Sequence, residues 1–196
     1  MKIISSMKPL CLRLLSAIAM VTMLAACTTD EQYTRKYACS FTFYTGYHPT
    51  SILCGITANA GTFVWVTVGK SKGVNHVYVH RNDGGADEDW AMTTEIENNR
   101  LSYDNIGANN ALIIGCTTAM EAKAYDRQCP YCLDNQSGVN YPLAWTDNGR
   151  FVECAKCGRK YDLNANGISS DGQRLLQYRV FVDVGYGGVE MLRVSN

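Results

Sequence analysis

Cys129 and Cys132, and then Cys154 and Cys157, form two Cys-x2-Cys pairs separated by 21 residues. In each pair two thiolates can point at one ion about 2.3 Å away, and two pairs complete a tetrahedron. Between them lies Asp147-Asn148-Gly149, a turn signal because Asn-Gly tolerates the positive φ of hairpin turns. Such a turn folds the chain back and brings the pairs together. Two other chemistries use cysteines. Disulfides form in oxidising compartments, but a bridge inside either pair closes a small strained loop, so bridging would have to run between pairs. A thioredoxin-type redox pair sits at a helix start in a βαβ unit, whereas Cys157 is followed by Gly158 and a strand-like run at 161–163. The doubled motif points first to a metal. Four thiolates around Zn²⁺ leave a formal charge of −2, which Lys156, Arg159 and Lys160 are placed to offset; the alternative for these three is an ordinary solvated turn.

Other chemistry-bearing residues offer less. His76 and His80 on a strand stand about 13 Å apart, too far for one ion, and His48 precedes Pro49 in a loop without a visible partner. Cys39, Cys54 and Cys116 are an odd set. Cys39 and Cys54 face each other if 37–46 and 51–57 pair as strands, which would permit a disulfide; a catalytic cysteine wants a histidine that nothing local supplies. Asp87, Glu88 and Asp89 lack the loop pattern that holds Ca²⁺ and read as a solvated turn. No nucleophile elbow, P-loop or dinucleotide glycine pattern is present.

The elements that must position the cysteines are strands. Seventeen glycines, twelve tyrosines and four prolines accompany short β-branched and aromatic runs bounded by turn clusters, the pattern of an all-β protein. Residues 62–68 and 74–80 make one hairpin, 111–114 a buried strand, and 122–125 leads into the first cysteine pair. Residues 164–167 turn, and 175–182 pairs with 189–194 across a glycine-rich turn. At 87–101, Trp90, Thr94, Glu97 and Leu101 fall at helical spacing, which predicts a short helix. Val64 and Trp65 lie in an early sheet expected to be independent of the cysteines.

With 196 residues, 46% apolar, the chain can bury a real core. Its 18 basic and 18 acidic side chains leave no cationic excess for nucleic acid. Lys2, Lys8 and Arg13 precede an uncharged, mostly apolar run over 14–26 that is too short to span a bilayer. It ends in Leu24-Ala25-Ala26-Cys27, which resembles the bacterial lipobox. The expected organisation is a lipoprotein signal peptide over 1–26, a tether over 27–36 lipidated at Cys27, and one β domain over 37–196. Attachment to a membrane of the bacterial cell envelope follows, and the resemblance of Asp30 and Glu31, just after the lipid cysteine, to surface-export signals of some Gram-negative lipoproteins implies the outer membrane or cell surface. Cleavage leaves 15 basic against 18 acidic side chains. The leader lacks a twin-Arg pair, so the chain is expected to cross unfolded and without a preassembled cofactor.

Tyr125 to Pro130, then Cys154-x-x-Cys157-Gly158-x-x-Tyr161-Asp162-Leu163, Gly167 and Leu175-Leu176-x-Tyr178-x-Val180 together resemble the ligand loops and closing hairpin of Rieske-type domains. The resemblance spans 108–196 and implies stacked antiparallel sheets with a rubredoxin- or zinc-ribbon-like metal-binding tip. Rieske domains hold a [2Fe–2S] cluster with two Cys on one iron and two His on the other. Here Cys132 and Cys157 stand where histidines belong, and no histidine follows His80, which excludes a two-histidine centre. Zn²⁺ in a Cys₄ site is favoured, with mononuclear iron or an all-cysteine [2Fe–2S] cluster as alternatives. Thirty-nine residues follow Cys157, too few for the catalytic domain of Rieske-type oxygenases. A non-catalytic binding or structural module is therefore expected. An iron–sulfur electron carrier with an unidentified protein partner and a surface-assembly module are the other classes.

Overall fold

β-branched and aromatic runs alternate along this chain with glycines at positive φ, and most of these runs become strands. The computed structural model describes residues 32–100, 105–137 and 140–196; the expected signal peptide over 1–26, Cys27 and the expected tether through residue 31 lie outside them. Tyr33–Asn196 forms one compact unit. Its strands are β1 (Ser40–Phe43), β2 (Phe63–Ser71), β3 (Val74–Arg81), β4 (Glu88–Met92), β5 (Ala111–Cys116), β6 (Ala122–Asp126), β7 (Leu143–Thr146), β8 (Phe151–Cys154), β9 (Lys160–Asp162), β10 (Ile168–Ser169), β11 (Gln177–Val184) and β12 (Glu190–Ser195). Two short helices, α1 (Glu95–Arg100) and α2 (Pro130–Asn135), interrupt them. Eight strands form one antiparallel sheet in the order β1-β12-β11-β6-β5-β2-β3-β4, and four form a second in the order β10-β9-β8-β7. The expected all-β class is the observed one.

The small sheet is an excursion. β6 and β11 are neighbours in the large sheet, and the stretch between them in sequence carries the second sheet, α2 and all four paired cysteines. One face of the large sheet buries Val64, Val66, Val77, Val79, Leu112 and Ile114 in the main core. Alternation along each strand sends Phe63, Ile113 and Tyr125 to the other face. There they pack with Leu143, Val152, Tyr161, Leu163 and the cysteines in a second core.

Several sequence expectations change. Residues 87–101 do not form one helix: Glu88–Met92 is a strand paired with β3, and the helix starts at Glu95. Thr94 caps it, accepting from the Glu97 N–H while Glu97 takes the Thr94 N–H and hydroxyl, a capping box; Leu101 lies outside the described residues. Tyr33 to Lys36 do not hang as a free tether. The Thr34 N–H donates to the Gln177 carbonyl at 2.8 Å, and the Asn196 side chain donates to the Thr34 and Tyr37 carbonyls. Trp65 is not independent of the cysteine region, because it stacks on Trp145 of β7 with ring centroids 4.9 Å apart.

A buried carboxylate ties the sheets to the first cysteine loop. Asp126, fully buried, accepts from the Gln128 N–H at 2.9 Å, the Ala108 N–H at 2.7 Å and the Tyr178 hydroxyl at 2.9 Å. Burial raises its carboxyl pKa, and these three donors oppose the rise. Asn at this position presents an N–H₂ where a donor already points, so Asp126→Asn is expected to cost about 1–3 kcal/mol, read from the urea midpoint at unchanged slope. A folded pKa above the unfolded one means that Asp126 contributes most below its unfolded pKa. That contribution is lost as pH rises through the folded value, and the variant should lack this part of the stability–pH profile.

Candidate metal centre

The four paired cysteines converge. Pro130, at the first position of α2, suits a helix start because it lacks the N–H that would go unpaired there. α2 therefore begins immediately after Cys129 and carries Cys132 one turn on. On the other side, β7 and β8 form a hairpin in which Leu143 lies opposite Cys154. Asp147, Asn148 and Gly149 turn it, all at positive φ (52°, 56° and 78°). After Cys154 the chain makes a tight turn, with the Gly158 N–H on the Cys154 carbonyl at 2.8 Å, and Gly158 at φ 69° sends it into β9.

All four Sγ atoms lie within 4.8 Å of one another. Cys129 and Cys157 sulfurs are 3.6 Å apart, and those of Cys132 and Cys154 3.8 Å. Four sulfurs about 2.3 Å from one ion stand about 3.8 Å apart at the corners of a tetrahedron, so the cage already has the size of such a site. Cys129, Cys132 and Cys154 are buried, while Cys157 is partly exposed.

Polar groups around the sulfurs are disposed to support thiolates. Burial pushes the Cys129 thiol up to about 11, against the Cys132 N–H and the Tyr161 hydroxyl, which lies 3.5 Å from its sulfur. Cys132 is raised, chiefly by burial. Burial acts the same way on Cys157, but the Arg159 N–H and side chain, with the neighbouring thiols, bring it down to about 7. Arg159 also bonds Asp171 at 2.8 Å and covers the Tyr131 ring at 3.3 Å. Of the three cations near the second pair, Arg159 alone approaches a sulfur: Lys160 turns to Asp147 and Glu153, and Lys156 is exposed.

Tyr161 stood in the sequence motif without an assigned role, and its place on β9 facing the second core gives it one. Gln128, part of the first motif and likewise without a role there, is buried. Its carbonyl oxygen accepts the Tyr141 N–H at 2.6 Å and fixes the return from α2 to β7. A polar residue directly before a ligand in a motif loop was the available signal.

The remaining candidates do not join the cluster. Cys39 and Cys54 are free thiols, so the disulfide weighed for them is not formed. β1 pairs with β12 instead, and 52–58 fold into two 3₁₀ turns rather than a strand. Cys116 is buried and free. His48 has a partner after all: its Nε2 lies 2.5 Å from Glu97 Oε1, and its ring packs near Phe43 and Trp90. His76 and His80 pair with Asp89 and Asp87. Glu88 accepts from the Ser51 hydroxyl, the Ile52 N–H and the Trp90 indole, so the acidic run is a partnered edge strand.

Fold and site together define an all-β protein carrying a four-cysteine cluster able to hold one metal ion. No family model, curated protein or solved structure matches the chain. Among the described residues no helix is long and apolar enough to cross a membrane.

Proposed function

We propose that the chain is an exported, lipid-anchored, non-catalytic binding module of the bacterial cell envelope, held together by one structural Zn²⁺ at Cys129, Cys132, Cys154 and Cys157. The observation that carries the metal reading is the mutual spacing of the sulfurs, all within 4.8 Å. One tetrahedral ion needs that compactness, whereas a two-iron cluster sets its thiolate pairs on different irons and spreads them. The second core supports a structural role, because three of the four ligands are buried among its apolar side chains. The Rieske resemblance of 108–196 is proposed for the fold alone, with the cysteine-bearing sheet inserted between β6 and β11 in its favour.

The runner-up is an electron carrier with iron in the same cage and a protein partner to receive the electron. Tyr161 favours it, since hydrogen bonds to ligand sulfurs tune reduction potentials. Reversible bleaching of visible absorption on reduction would install this reading in place of the first.

Anchoring rests on the basic start, short apolar run and Leu24-Ala25-Ala26-Cys27. Cys27→Ser is expected to abolish incorporation of radiolabelled fatty acid and to leave the precursor uncleaved or release a soluble form. Equal label in wild type and variant would dismiss the anchor.

A further inference from the structure

On the side of the small sheet that carries the β7–β8 turn, the β3–β4 turn at Arg81–Gly84 faces Trp145–Gly149 across a groove of about 570 Å³. Small-molecule sites run from about 300 to 1,000 Å³. Its two walls are pinned to each other. The Asn82 side chain accepts the Phe63 N–H at 2.9 Å and donates to the Gly61 and Gly149 carbonyls at 3.2 and 2.9 Å.

An aromatic plane borders the groove. Trp145 lies 7° from parallel to Trp65 with centroids 4.9 Å apart, and the Arg127 guanidinium sits 3.8 Å from the centre of the Trp65 ring. A guanidinium and an indole cannot share one ring face at those distances. Arg127, Trp65 and Trp145 therefore make a three-layer stack, and Trp145, its last member, lines the groove. Arg127 is fixed in turn by its Nε–H on the Leu143 carbonyl at 3.1 Å. The Trp145 indole N–H has no hydrogen-bond partner among the described residues, so stacking is what orients this ring.

The rim is polar and balanced in charge. Arg81 grips Asp83 through two N–H groups at 2.9 and 2.6 Å, and Lys160 lies 3.2 Å from Asp147. Each carboxylate keeps spare lone pairs, Arg81 keeps unspent N–H groups, and Asn148 adds an exposed amide. A pre-oriented indole plane beside carboxylate, amide and guanidinium groups matches a pyranose. The ring's C–H face packs on the aromatic plane, and its hydroxyls both donate and accept. A phosphate or uronate would instead need a net cation, which the two ion pairs remove.

We propose that this groove binds a neutral saccharide, with Trp145 as platform and Arg81, Asp83, Asp147 and Asn148 as hydroxyl partners. The site does not depend on which ion the cysteines hold. The test is calorimetry of the full chain against hexasaccharides of glucose, mannose and N-acetylglucosamine, with polygalacturonate as the acidic comparison. At least one neutral hexasaccharide is expected to bind. Trp145→Ala should weaken it about tenfold or more, and Trp145→Phe should recover part of the loss. Because Trp145→Ala also removes a stacking contact, Asp83→Ala on the exposed β3–β4 turn, at a position without positive φ, is the second variant. It should weaken binding while metal content and melting temperature stay at wild-type values, which separates a failed groove from a failed metal site. Three results would each overturn the proposal: no binding of any neutral hexasaccharide, binding of polygalacturonate alone, or neutral-sugar binding that survives both alanine variants.

Discussion

Cys157→Ser is expected to lower stability by about 3–5 kcal/mol, or roughly 10 °C or more in Tm, and to do so through the second core alone. Structural zinc contributes to folding directly, with apparent binding energies of about 10–16 kcal/mol in small zinc domains, and one ligand in four carries a large part of that. The damage should be regional. Cys129, Cys132 and Cys154 pack with Leu143, Val152, Tyr161 and Leu163, whereas Val64, Val66 and Val77 belong to the other core. Hydrogen exchange should accelerate in β7, β8 and β9 and stay slow at Val64 and Val66. Tryptophan emission should also change, because Trp65 stacks on Trp145 of β7. Cys157→His should retain most of the stability, since Cys₃His is an ordinary zinc site and this ligand is the partly exposed one. Equal Tm values for wild type, Cys157→Ser and metal-stripped protein would remove the structural role.

Gly149→Ala should be nearly as damaging for a different reason. Gly149 closes the β7–β8 turn at φ 78° and is buried. A Cβ there would overlap the Asn82 carbonyl oxygen and Cβ, and this backbone, in the turn after β3, is held by the Asn82 hydrogen bonds to Phe63, Gly61 and Gly149 and cannot simply move aside. Left-handed strain costs about 1–3 kcal/mol and overpacking a similar amount, so a loss of roughly 2–4 kcal/mol is expected in urea unfolding. Gly158 makes the control. It too has positive φ (69°), but nothing lies within 4 Å of its would-be Cβ, so Gly158→Ala should show the strain without the clash.

The division between what could be read in the residues and what could not follows contact range. Cys129, Cys132, Cys154 and Cys157 were legible because ligand spacing and the intervening Asn148-Gly149 turn are local properties. So were the hairpin of β2 and β3 and the buried run of β5, whose alternation or continuity of apolar side chains states their surroundings. At 87–101 the helical spacing of Trp90 and Thr94 competed with β-branched neighbours. Pairing with β3, a contact that spacing does not encode, decided in favour of a strand. The Cys39–Cys54 pairing failed on the same ground, since β12, the last strand of the chain, took the place beside β1. The His48–Glu97 pair, the Asn82 bridge and the Arg127–Trp65–Trp145 stack each join residues far apart in sequence. No periodicity announces such contacts.

The measurement that bears most directly on the whole account is elemental analysis of native protein purified anaerobically, with acid-labile sulfide measured on the same sample. The proposed zinc site at Cys129, Cys132, Cys154 and Cys157, whose sulfurs lie within 4.8 Å of one another, predicts one zinc per chain, no sulfide and a colourless solution. Stoichiometric iron with labile sulfide and a visible absorption band would contradict it and make the protein an iron–sulfur electron carrier.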